Sequence, residues 1–142
     1  MTLPSPRHPA RGVAGALLLI VAGAAMAAEP PAGTPEDLLR DARFRSAYAA
    51  ALGPKAKLPW IARLSNSALL RTHRFESVDY QVASPCKPHD CAEHNLLLLY
   101  APASGKVYGQ LHERGQVTLL GAPGPALSQE LGRLWKREFR SQ

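Results

Sequence analysis

Cysteine is scarce in this chain: two in 142 residues, Cys86 and Cys91. Basic residues outnumber acidic ones, 17 to 11, but no long basic run interleaved with aromatics occurs. That argues against nucleic acid as a partner. No nucleophile–base pair and no paired carboxylates fall where sequence alone would bring them together, so the chain does not read as an enzyme. Asp90 and Glu93 are close in sequence, yet they sit by a small loop with no evident cleft. There is no internal repeat, and no low-complexity segment beyond one short linker. The two tryptophans, Trp60 and Trp135, read as core anchors rather than carbohydrate platforms.

One apolar run stands out near the N-terminus, residues 12–24, centred on Leu17-Leu18-Leu19-Ile20. Arg7 and Arg11 precede it, and Ala25-Met26-Ala27 follows as a small-x-small site. This is the pattern of a secretory signal peptide, expected over residues 1–27. The run is short for a membrane span, so no stable membrane insertion is expected after cleavage. No cysteine adjoins the cleavage site, which argues against a lipid anchor. Residues 28–34 read as a flexible linker and 35–142 as a single domain. The net charge is +6; the expected signal holds two of the basic residues and no acid, so a mild positive excess remains. In an oxidising compartment Cys86 and Cys91 are expected to form one disulfide. Its short ring contributes on the order of 2 kcal/mol in the chain-entropy account. Pro88 already restricts that ring, so the bridge matters more for loop shape than for global stability.

The domain reads as helix, corner, sheet, helix. Thr34 is placed as N-cap and Pro35 at the first helical position, with Glu36 and Asp37 in the positive end of the dipole. The helix is expected to run to Leu52 and stop at Gly53-Pro54, with Leu38, Ala42, Tyr48, Ala49 and Leu52 on its apolar side. Pro59 forces an extended predecessor and makes a corner anchored by Trp60. Strands are expected over 68–75, 78–84, 95–101, 106–113 and 116–120, joined by turns at Glu76-Ser77, Pro102–Gly105 and Arg114-Gly115. The Leu96-Leu97-Leu98-Leu99-Tyr100 run is apolar on both faces, as suits a central covered strand. Residues 126–140 read as a closing helix. The fold class is α+β: a five-stranded antiparallel sheet with both helices packed on one face, and a protruding disulfide-closed loop between the second and third strands.

That loop carries the chemistry. Tyr80-Gln81-Val82-Ala83-Ser84-Pro85 leads into Cys86-Lys87-Pro88-His89-Asp90-Cys91. The segment resembles the signature of the Ivy family, periplasmic inhibitors of C-type (vertebrate) lysozyme. The upstream Lys57-Leu58-Pro59-Trp60 is similar as well. The resemblance implies a periplasmic inhibitor, of a Gram-negative-type cell, whose disulfide loop enters the lysozyme cleft and whose histidine, here His89, binds the two catalytic carboxyls. One carboxyl of that enzyme has a pKa raised to about 6 while the other stays ionised. A neutral imidazole donates to the ionised group and accepts from the protonated one; a charged imidazole donates to both if both are ionised. Asp90 would accept hydrogen bonds from the cleft wall or from its own loop backbone, and Lys87 would point to the rim. No cofactor is expected, and the protein is a monomer or homodimer.

Other readings stay open. A cell's own lytic transglycosylases also place an acid in a glycan cleft and are an alternative target. Cys86, His89, Cys91 and His94 invite a periplasmic metal-binding module, although the spacing is not a usual zinc pattern and oxidised cysteines would not ligate. His73 and His112 read as lone strand histidines in surface or satisfied positions. Arg133, Lys136, Arg137 and Arg140 form a solvated helix face, or else one for an anionic surface. C-type lysozymes are usually basic, as is this chain, so long-range steering toward them would be absent or adverse.

Overall fold

Leu96, Leu97, Leu98 and Leu99 are all fully buried, and the sheet is built around them. The computed structural model describes residues 1–2 and 33–140. The expected signal peptide beyond its first two residues, and the linker up to residue 32, lie outside the described residues. In chain order come α1 (Pro35–Arg40), α2 (Ala42–Leu52), a 3-10 turn (Gly53–Lys57), α3 (Pro59–Ala62), β1 (Arg71–Phe75), β2 (Val78–Ala83), β3 (His94–Ala101), β4 (Lys106–Glu113), β5 (Gln116–Leu120) and α4 (Pro125–Phe139). The strands form one antiparallel sheet in the order β1-β2-β3-β4-β5. The α+β class and the five-stranded meander follow the sequence expectation.

The placement of the helices departs from it. Successive strand residues point to opposite faces. Leu96, Leu98 and Tyr100 pack with Leu38, Phe44, Tyr48, Leu52 and Ile61. Leu97, Leu99 and Ala101 pack instead with Leu131, Leu134 and Trp135 of α4. The N-terminal helices therefore cover one face and α4 the other, not a single face as expected. A strand apolar on both sides needs cover on both sides; burying one leucine side chain stabilises by about 2 kcal/mol, which a bare face would forfeit.

The N-terminal helix is also two helices. Thr34 N–H donates to the Asp37 carboxylate at 2.7 Å, and Pro35 opens α1 as expected. Asp41 then breaks the run: its backbone is extended (φ −74°, ψ 116°) and its carboxylate accepts from Arg43 N–H at 2.8 Å, capping α2. Leu38 and Phe44 are both buried. Six positions apart, they would sit about 120° apart around an unbroken helix, so the break brings both to one core. Ala42 and Ala49, expected on the apolar side, are exposed; Phe44 takes their place. Among the described residues no helix is long and apolar enough to cross a membrane.

Two turns are as expected and tight. Glu76-Ser77 (φ 45° and 65°) and Arg114-Gly115 (φ 48° and 79°) both have two left-handed residues, the pattern that matches the twist of paired strands. β1 starts later than expected, at Arg71 rather than residue 68. The chain before it is used elsewhere: Leu70 N–H donates to Gly33 C=O at 2.8 Å, Ser65 C=O accepts from Cys86 N–H at 2.9 Å, and the Ser67 side-chain Oγ accepts from Ser84 N–H at 3.0 Å. That diversion holds the start of the β2–β3 connection.

Candidate functional site

The β2–β3 connection spans residues 84–93, far longer than the other hairpin turns, and it contains the cysteine hexad. Cys86 and Cys91 are disulfide-bonded, with Cα atoms 4.9 Å apart. Within the ring Asp90 N–H donates to Lys87 C=O at 3.0 Å. Pro88 is thus second and His89 third in a four-residue turn, and His89 has φ +64°. This is the type II pattern, in which proline suits the second position and the third must be left-handed. Glycine or asparagine usually fills that third position; here it is a histidine. Pro88 and His89 are the exposed residues of the ring, whereas Cys86 is buried.

Asp90 faces its own loop. Its Oδ2 lies 2.8 Å from His94 Nδ1 and 3.4 Å from Lys87 Nζ. Partial burial pushes the Asp90 carboxyl up, but the Lys87 and His94 contacts outweigh it and hold the group below the usual carboxylate range. In the free chain these partners are both side chains of the loop and its flank. His94 has a side chain only 12% exposed and braces the ring from outside. The signal for it was the four-residue spacing from Asp90.

The base of the loop is pinned on several sides. Lys87 N–H donates to His94 C=O (3.0 Å), His94 N–H to Asp90 C=O (3.0 Å), Leu96 N–H to Pro85 C=O (2.9 Å) and Arg114 N–H to Glu93 C=O (2.8 Å). Ser84 Oγ donates to Glu138 of α4 at 2.9 Å, and Glu138 pairs with Arg71 at 2.7 Å. Asn95 side-chain Nδ2 donates to Cys91 C=O at 2.7 Å. The loop is therefore tied to α4, to the β4–β5 turn and to the segment before β1, and among the described residues its tip shows no such hydrogen bond.

The remaining candidates fall into structural roles. His73 Nε2 lies 2.7 Å from Glu130 of α4. His112 stacks on Trp135 with ring centroids 3.7 Å apart and planes 6° apart. Burial, with Arg140 nearby, lowers the His112 pKa. Arg133 bonds Glu130, and Arg140 lies over the Trp135 ring at 5.0 Å, so both have local partners. Trp60 and Trp135 are both buried, as core anchors should be. For the metal reading, both sulfurs of the Cys86, His89, Cys91, His94 set are consumed in the disulfide, and His94 is engaged by Asp90.

The fold and this loop define a small α+β protein that presents a braced, disulfide-closed turn with a histidine at its tip. A family model described as inhibitor of vertebrate lysozyme (Ivy) matches residues 43–141. The chain belongs to the Ivy family. No curated protein matches it closely enough to register. The matched region holds the whole sheet, the hexad and α4; α1 and its Asp41 break precede it.

Proposed function

We propose that this protein is exported to the periplasm and inhibits C-type lysozyme by inserting the Cys86–Cys91 loop into the enzyme's cleft. His89 hydrogen-bonds the two catalytic carboxyls there, so peptidoglycan hydrolysis is blocked by occlusion, without covalent chemistry. Family membership supports lysozyme as the protein partner. The observation that carries the loop assignment is the contrast within the ring: Asp90 and Lys87 bond one another, whereas His89 is exposed at a left-handed position. A non-glycine residue held left-handed at a loop tip costs about 1–2 kcal/mol.

The ordering cost of binding is met in advance. The disulfide, Pro88 and the Asp90–His94 contact fix the turn before any partner arrives, so little loop entropy remains to be lost on insertion. Two nitrogens on one small ring match a pair of carboxyls of which one acts as an acid and the other is ionised.

Parallel titration of the mature chain against a C-type lysozyme and a lytic transglycosylase tests this reading. Competitive inhibition of the lysozyme is expected. Failure to inhibit it would overturn the proposal, and tighter inhibition of the transglycosylase would move the target to the cell's own enzymes.

A further inference from the structure

Asn95 is the most deeply buried polar side chain among the described residues, 2% exposed, immediately before the leucine run of β3. Burying an amide is unfavourable unless both of its ends are bonded. Here they are. Nδ2 donates to Cys91 C=O at 2.7 Å and, more weakly, to Ala92 C=O at 3.5 Å. Oδ1 accepts from Trp135 Nε1 at 2.6 Å.

The chemistry of the neighbours dictates which way the amide points. An indole N–H only donates, and a backbone carbonyl only accepts. The oxygen must therefore face Trp135 and the nitrogen must face the loop. Aspartate in the same place would set a carboxyl oxygen against the two carbonyl oxygens. Leucine would bond neither end, although it would suit the apolar run that follows.

Trp135 is itself held fast. It is 7% exposed, stacked on His112, and part of the α4 cluster on the sheet. Gln110 on β4 in turn lies 2.7 Å from the His112 ring through its Nε2. A continuous set of contacts thus runs from β4 through His112 and Trp135 to Asn95, and ends on the carbonyls at the closing side of the disulfide ring.

We propose that Asn95 is a positioning residue for the Cys86–Cys91 loop, and that Trp135 orients its amide for that task. The consequence for inhibition rests on the function proposed above; the effect on the loop does not. Two variants of the mature chain separate the parts. Asn95→Asp keeps the acceptor for Trp135 and removes the donor to the loop. Trp135→Phe removes the indole donor and keeps most of the aromatic volume. Leu52→Ala, on α2 in the cluster that covers the other face of the sheet, serves as a control that weakens the core without touching the link.

The measurements are backbone hydrogen exchange at Lys87, Asp90 and His94 against that of β4, the rate at which dithiothreitol reduces the disulfide, and lysozyme inhibition. Relative to the control, both link variants are expected to speed loop exchange and reduction by about tenfold, with β4 exchange unchanged, and to weaken inhibition by a similar factor. Loop exchange and reduction within about twofold of the control in both variants would overturn the proposal, as would equal acceleration in β4. A loosened loop with unchanged inhibition would support the positioning role and count against the loop's place in the lysozyme cleft. If Asn95→Asp fails to fold, Trp135→Phe decides the matter by the same criteria.

Discussion

The Tyr100 hydroxyl donates to Asp41 Oδ2 at 3.0 Å, and so joins the break between α1 and α2 to the central strand of the sheet. The other oxygen of the same carboxylate caps α2. One residue thus ends a helix with its backbone and, with its side chain, starts the next and joins the break to β3.

Asp41→Ala should therefore lower the thermal midpoint by several degrees, and Tyr100→Phe by less, because the cap survives. The pH dependence has a definite sign. The Arg43 N–H, then the Tyr100 hydroxyl, hold the Asp41 carboxyl below its usual range against an opposing effect of burial. Arg133, with a further contribution from His73, does the same for Glu130. Depressed carboxyls stabilise the fold at pH above their unfolded values, about 3.9 for Asp. That stability is lost as pH falls through the lower folded values. Urea midpoints measured from pH 6 downward should fall in the acid range, and Asp41→Asn should flatten the fall. An identical acid limb in the variant would contradict this assignment.

Cover on both faces of β3 makes a separate prediction. Leu97→Ala and Leu98→Ala each remove a fully buried side chain, from opposite faces. Each should destabilise by about 3 kcal/mol in chemical denaturation. A near-neutral Leu97→Ala would mean that α4 does not cover its face.

His89 offers a test that needs no partner. At φ +64° a glycine is unstrained and an alanine is not. His89→Gly should be more stable than His89→Ala by about 1 kcal/mol. Equal stability would remove the argument that the turn holds histidine at a cost.

Much of this was legible in the sequence because it is local. The hexad is six adjacent residues, and its ring, turn and exposed histidine need little from the rest of the chain. The hairpins at Glu76-Ser77 and Arg114-Gly115 follow from strand alternation on either side. What was not legible depends on distant partners. The role of Asp41 rests on Tyr100, and the role of Asn95 on Trp135, and neither pairing leaves a trace in spacing. The sidedness of the helices was within reach, since a leucine run apolar on both faces calls for two covers. The Asp90–His94 brace was also within reach from spacing, but the structure was needed to show that the carboxylate turns inward.

The inhibition constant of the mature chain for a C-type lysozyme, measured beside that of His89→Ala, tests the central claim most directly. In the proposed complex, removing the imidazole would leave two desolvated carboxyls unpaired, so inhibition should weaken by about thirtyfold or more, equivalent to at least about 2 kcal/mol. A folded His89→Ala variant that inhibits as tightly as the parent would contradict the account.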